Sequence, residues 1–212
     1  MKRISPRSLW LVAALVWTTL SLTAQDQLGV KAATQDYRQE YKDKFLAEKR
    51  SPFYGKAEAL KQLRFYPPKS AYRVDGRFER TPDADIFDMA TYSGKTRKYV
   101  QYGWIHYQWK GEDKKIAVYQ SLRLRATKVY GDYLFVPFKD ETNDKKTYGG
   151  GRYIDLKISD IEDDQVVLDF NRSYNPYCAF SDGYSCPIPP RENHLDWSVK
   201  AGEKVYQGDK LQ

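Results

Sequence analysis

The chain has 212 residues, with 35 Lys and Arg against 28 Asp and Glu for a formal charge of +7, and 15% of it is aromatic, with 18 tyrosines. Charges of both signs are mixed along its length, so the basic stripe with interleaved aromatics that nucleic acid binding requires is missing. The length suffices for one domain with a real core and does not require two.

The first 24 residues read as a removable leader. Lys2, Arg3 and Arg7 make a basic start, the stretch 9–24 carries no charge, and Leu22-Thr23-Ala24 offers a small-residue cleavage site before Gln25. Sixteen uncharged residues fall short of the roughly 20 that a spanning helix needs. An uncleaved anchor is the alternative. The expectation is export to a periplasm or the extracellular space, with no stable membrane span after cleavage. Removal of three basic residues then lowers the formal charge from +7 to +4.

Residues 25–64 read as a helical arm. In "TQDYRQEYKDKFLAEKR", Tyr37, Tyr41 and Phe45 recur at i, i+4 and i+8, with Thr34 as the expected N-cap and Glu40 paired to Lys44. A second piece, "KAEALKQLR", ends before Pro67 and Pro68, which cannot continue it. From residue 65 to 212 the signals are strands. "YRVDGRF" puts Tyr72, Val74 and Phe78 on one face, and "RKYVQYGWIHYQW" turns at Lys110-Gly111 into "EDKKIAVYQS". "DYLFVPF", "RYIDLKI", "QVVLDF" and "WSVKAGEKVYQ" follow. Short strands at this spacing predict a single mainly β domain, an antiparallel β-barrel or β-sandwich, carrying a short N-terminal helical arm.

Several chemistries are excluded. No GxSxG elbow and no HExxH motif occurs. "YGGGRY" is followed by a strand rather than a helix, so it lacks the dipole of a phosphate loop and reads as a bulge or tight crossing. "DETNDKKTYGGG" has Asp140, Thr142 and Asp144 at calcium-loop spacing, but Lys145 stands where glycine is needed and Gly151 where the last acid is needed. His106 sits within an aromatic strand, where a packed imidazole is the ordinary explanation.

The stretch "DFNRSYNPYCAFSDGYSCPIPPRENHL" holds both cysteines and His194. Two readings stand. In an exported chain Cys178 and Cys186 form a disulfide closing a nine-residue ring. Alternatively Cys178, Cys186 and His194, at equal steps of eight, ligate zinc together with Glu192, although structural zinc sites usually place cysteines closer together. No other cofactor is expected.

These blocks, with "FYPPKSAYRV" and "LFVPFKDETNDKKTYGGGRYIDL", resemble the bacterial family called domain of unknown function 1684, from about Phe65 to Tyr206. The resemblance implies a mostly β single domain and brings no reaction. The family pattern falls on Phe138, Asp140, Thr142, Thr147, Tyr148, Gly149, Gly151, Arg152, Tyr153 and Asp155. In the last block it falls on Asp169, Phe170, Asn171, Tyr174, Asn175, both cysteines, Glu192 and Asn193, while the position of His194 is not restricted to histidine.

The matched polar residues exceed what a core requires, and two arrangements account for them. One is an internal network in which Asp169 or Glu192 holds Arg152. The other is a concave site walled by Tyr148 and Tyr174. The binding candidates are therefore Glu79, Asp140, Tyr148, Arg152, Asp169, Asn171, Tyr174, Asn175, Glu192 and Asn193. The leading function is a small-molecule or glycan binding module. The alternatives are a hydrolase using two carboxylates from Glu79, Asp140, Asp169 and Glu192, and an envelope interaction protein with no pocket.

Overall fold

The computed structural model describes the backbone from Pro6 and the side chains from Gln25, in both cases to Gln212. The leader expected over residues 1–24 lies outside the side chains so described. A single helix, α1 (Pro6–Ala47), opens the chain. Val30, Thr34, Tyr37, Tyr41 and Phe45, spaced by three or four, form its inward stripe, and most of their neighbours are exposed. Thr34 is not an N-cap, because the helix already runs through it; its hydroxyl donates to the Val30 carbonyl one turn back at 2.7 Å. Among the described residues, no helix is long and apolar enough to cross a membrane.

Seven antiparallel strands follow: β1 (Arg73–Arg80), β2 (Ile86–Ala90), β3 (Thr96–Trp109), β4 (Glu112–Ser121), β5 (Tyr133–Phe138), β6 (Arg152–Lys157) and β7 (Gln165–Asp169). They form one sheet curled into a half-barrel, in the order β6-β5-β4-β3-β1-β7. β3 is long enough to carry two partners on one edge, β1 along residues 103–107 and β2 along 96–100. β2 was not anticipated from the sequence. The β3–β4 hairpin turns on Lys110 and Gly111 at φ 52° and 83°, the two positive values that a two-residue turn needs to match strand twist.

Side chains alternate across this sheet. Ile116 and Val118, Leu134 and Val136, and Ile154 and Leu156 point into the half-barrel and pack with Phe78, Ile105 and Leu168. Tyr119, Phe135 and Tyr153, on the intervening positions, form a second aromatic layer with Tyr99 and Met89 on the opposite face. The helix α1 faces this second layer.

The last expected strand, "WSVKAGEKVYQ", does not form. It runs over the open side of the half-barrel with one isolated bridge, Phe65 to Glu203. Trp197, Val199 and Ala201 seal the inner core from there. Instead of one neighbouring strand, its backbone meets the backbones of several loops, as in Glu203 N to Ser173 O at 2.9 Å and Lys204 N to Arg64 O at 2.8 Å, and the side chains described below.

β4 and β5 share only the register pair Tyr119–Phe135. Where they part, Asn193, fully buried, fills the gap. Its Oδ1 accepts from Ala117 N at 2.7 Å, and its Nδ2 donates to the Ala117 and Pro137 carbonyls at 2.9 and 2.8 Å. One side chain thus replaces a missing stretch of ladder. Asn193→Ala orphans one N–H and two carbonyls in the interior and is expected to cost about 3 kcal/mol or more, measured as a shift of the urea midpoint at unchanged slope.

Candidate functional site

Most of the polar candidates are spent on backbone. Arg152, with no exposed surface, donates from Nη2 to Asp140 Oδ2 at 2.8 Å and to the Val199 carbonyl at 2.9 Å. Its Nη1 donates to the carbonyls of Ala201 and of Glu203. Burial pulls this guanidinium below its ordinary pKa, and Asp140 works against that pull. Asp140 Oδ1 in turn accepts from the Thr142 and Val199 N–H groups at 2.9 and 3.1 Å. The partner of Arg152 is therefore Asp140, where Asp169 or Glu192 was expected. Asp140 lies twelve residues from Arg152 in a loop, so no spacing rule links them.

Asp169 accepts from the backbone and side-chain nitrogens of Asn171, both at 2.9 Å, and Asn171 clamps the backbone of Lys69 through both its side-chain atoms. Asn175 donates from its side chain to the Lys204 carbonyl at 2.8 Å. Glu192 accepts from the Tyr119 hydroxyl at 2.6 Å. Glu79 is exposed on β1 and bonds His106 at 2.7 Å. Tyr148 lies beside Tyr92 near the glycine run, with ring centroids 6.5 Å apart. Each of the four carboxylates proposed for a hydrolase is thus engaged with a different partner. Gly151 has φ 90°, and a Cβ there would sit 2.6 Å from the Phe138 carbonyl, so the glycine run is a tight crossing.

Cys178 and Cys186 form a disulfide, with Cα atoms 6.3 Å apart. His194 bonds its Nε2 to the Pro189 carbonyl at 3.1 Å instead of joining them. The disulfide loop is a clasp on α1. Phe180 packs edge-on against Phe45 and Phe53 at 5.7 and 4.9 Å, and Tyr184 donates to the Arg50 carbonyl at 2.9 Å. On its other side the loop is stitched to the end of β2 by Ile188 N to Ala90 O at 2.8 Å and Tyr92 N to Cys186 O at 3.0 Å. Replacing both cysteines by serine is expected to cost about 2.5 kcal/mol from the nine-residue ring, read as a lowered Tm.

The clasp holds α1 away from part of the aromatic layer and leaves a recess of about 980 Å³ between them. Tyr37 and Tyr41 of α1, Tyr99 of β3, Tyr133 of β5, Tyr153 of β6 and Tyr174 border it. Tyr174 is the one binding candidate from the sequence that the recess contains. Asp155, from the outward face of β6, stands opposite Phe135 in the sheet register and is open to the recess. Its Oδ1 accepts from two tyrosine hydroxyls, Tyr133 at 2.7 Å and Tyr174 at 2.6 Å. Asp155 is exposed to solvent there, yet the surrounding protein strips part of the water from its carboxyl and raises its pKa, while the hydroxyls of Tyr174 and Tyr133 and the charge of Lys44 pull it down. Burial and the adjoining carboxylate hold both hydroxyls protonated, far above the ordinary tyrosine value.

Asp155 belongs to the resembled pattern but was not among the candidates. The signal for it was an acid at an outward strand position whose register partner, Phe135, is aromatic and is itself paired with Tyr119 on the next strand.

Fold and recess together define a half-barrel β domain roofed by an N-terminal helix, with a tyrosine-walled hollow between the two. The chain belongs to the family described as protein of unknown function, DUF1684, which matches residues 58–204. Among solved structures it is similar to an uncharacterised protein of Haloarcula marismortui determined by solution NMR. The two are 32% identical, with a TM-score of 0.61 over 82% of this chain and 97% of the other. Comparison with curated proteins finds no match.

Proposed function

We propose that this is an exported small-molecule binding domain and that the recess under α1 is its site. One observation carries the reading. The recess, at about 980 Å³, reaches the upper end of the range of small-ligand pockets, roughly 300–1,000 Å³, and it has aromatic walls inside a border of charged side chains of both signs. The aromatic rings are already shaped around it. Tyr153 stands perpendicular to Tyr174 at 5.8 Å, and Tyr41 lies 5.8 Å from Tyr174, so ligand burial does not have to wait for side chains to order. Export is supported by the leader-like residues 1–24 and by the Cys178–Cys186 disulfide, which persists in an oxidising compartment.

Native mass spectrometry of protein purified from an oxidising compartment, followed by a fragment screen read by NMR, tests the proposal. The expected result is a small organic mass released on denaturation, or fragments that shift the resonances of Tyr133, Asp155 and Tyr174. Absence of any retained mass, with fragment shifts confined to other surfaces, would overturn it.

A further inference from the structure

We infer that the recess takes a ligand carrying a protonated amine with at least one N–H, mounted on an apolar or aromatic body, and that Asp155 receives the amine. This rests on the reading of the recess as a ligand site and names the class of ligand.

The geometry of Asp155 is asymmetric. Both tyrosine hydroxyls donate to Oδ1, which fixes the carboxyl plane, and Oδ2 has no hydrogen-bond partner among the described residues. No Lys, Arg or His nitrogen of the described residues forms an ion pair with Asp155. Lys44 acts on it only through space. Asp155 is exposed in the recess, so water serves Oδ2 until a ligand covers it; a ligand that does so must replace that water, and the two neutral donors on Oδ1 supply no counter-charge. A cation placed at Oδ2 completes the site. An anion there would meet the carboxylate. A neutral hydroxyl would satisfy the acceptor but leave the charge unbalanced. A quaternary ammonium would balance the charge and leave the acceptor unmet.

The walls agree with this choice. Phe135 and Tyr153 stand 4.7 Å apart at 72°, Tyr153 and Tyr174 are perpendicular, and Tyr133 lies 6.4 Å from Phe135, so ring faces and edges surround one carboxylate. The negative faces of such rings attract a cation. The remaining charges bordering the recess are nearly balanced. Lys44, Arg50, Arg97, Lys157 and Arg172 stand against Glu40, Glu48, Asp132 and Asp160, so the unpaired carboxylate on the sheet, and not the border, sets the sign at the head group. For the body of the ligand the same recess offers Leu124 together with Val129 and Tyr130, which are 76% and 49% exposed. Exposed apolar side chains beside a hollow gain most from contact with an apolar ligand.

Three probes of one shape test this on the full chain: 2-phenylethylamine, 2-phenylethanol and 3-phenylpropanoate, titrated with NMR detection. The amine is expected to bind about tenfold or more tightly than the alcohol, and the carboxylate not to saturate. Asp155→Asn should lower the affinity for the amine about tenfold and leave that for the alcohol unchanged. If that variant does not fold, the three probes on the native chain still decide the matter. Equal binding of amine and alcohol at the resonances of Tyr133 and Tyr174, or tighter binding of the carboxylate, overturns the amine and leaves the ligand site standing. If none of the three shifts those resonances at concentrations that saturate neither chain nor buffer effects, the ligand-site reading falls together with the inference.

Discussion

Arg152→Met is expected to lower stability by about 3–5 kcal/mol, a large fraction of what holds a domain of this size folded. The methionine fills much of the volume, so the cost is polar. Asp140 is left as a fully buried charge without its partner, and the carbonyls of Val199, Ala201 and Glu203 lose donors that nothing else in the interior supplies. Two further variants separate the charge from the geometry. Arg152→Lys keeps the charge, but a single ammonium cannot span Asp140 and the carbonyls that the guanidinium fork reaches together, so it should recover less than half of the loss. Asp140→Leu in the Arg152→Met background removes the orphaned carboxylate and should restore part of the stability, but not all. Asp140 also caps the Thr142 and Val199 N–H groups. Urea unfolding at constant slope measures all three. If Arg152→Met costs less than about 1 kcal/mol, Arg152 is not what fastens residues 199–203 to the half-barrel.

This arrangement also explains where the sequence was legible and where it was not. Strands with period-two alternation, such as "YRVDGRF" and "RKYVQYGWIHYQW", could be placed because their own side chains report which face is buried. The hairpin at Lys110-Gly111 could be placed because turn chemistry is local. "WSVKAGEKVYQ" alternates just as well, since Trp197, Val199 and Ala201 do face the core. It is not a strand because its hydrogen bonds are divided between Arg152 and Asp140 and the backbones of several separate segments, among them Arg64, Tyr66, Lys146 and Ser173, and partners scattered in this way leave no mark on periodicity. β2 was missed for the opposite reason: five residues after a proline-containing turn are too few to show a period, and its existence depends on the spare edge of β3.

The candidate site divides along the same line. Composition and the unusual last block pointed to polar residues in excess, and many of these proved to be structural because loops dense in proline and asparagine need their N–H and carbonyl groups answered. Asn193, Asn171 and Asn175 do this. The recess, by contrast, is a property of three separate segments meeting: α1, the outer face of the sheet, and the clasp at Cys178–Cys186. Eighteen tyrosines announce that something aromatic is being built. They do not announce that Tyr37, Tyr133 and Tyr174, from three parts of the chain, would surround one aspartate.

The chain is also expected to lose stability as the pH rises from about 5 to 8, and Glu203→Gln should abolish most of that loss. Glu203 has no exposed surface and links three parts of the fold: its Oε2 accepts from the Tyr41 hydroxyl of α1 at 3.0 Å and from Asn175 N at 2.8 Å, while the Arg152 guanidinium grips its backbone carbonyl. Burial pushes its pKa from the ordinary 4.5 up to about 8, against the lowering effect of the Asn175 N–H, the Tyr41 hydroxyl and Arg152. Its Oε1 and the Oδ1 of Asn175 are both buried acceptors without a donor, and a proton on Oε1 removes one of these two deficits. The sign follows from the two states. Below pH 4.5 both the folded and the unfolded chain hold the proton. Between 4.5 and about 8 the unfolded chain releases it and the folded chain keeps it, so folding becomes progressively less favourable; above 8 the folded chain releases it too and the loss levels off at about 4–5 kcal/mol. Asp155, also raised, adds a slope of the same sign, so the difference between wild type and Glu203→Gln isolates Glu203. Glutamine cannot ionise and carries the donor that the protonated acid would supply. The variant should therefore match or fall slightly below wild type at pH 5 and exceed it at pH 8, in Tm measured at both. A variant equally destabilised at both pH values would mean that Glu203 is already ionised in the folded chain. The same titration bears on the recess, because Tyr41 leans on Tyr174 at 5.8 Å as well as on Glu203. A carboxylate that keeps its proton is what allows α1 to rest there without burying an unpaired charge beneath Tyr41.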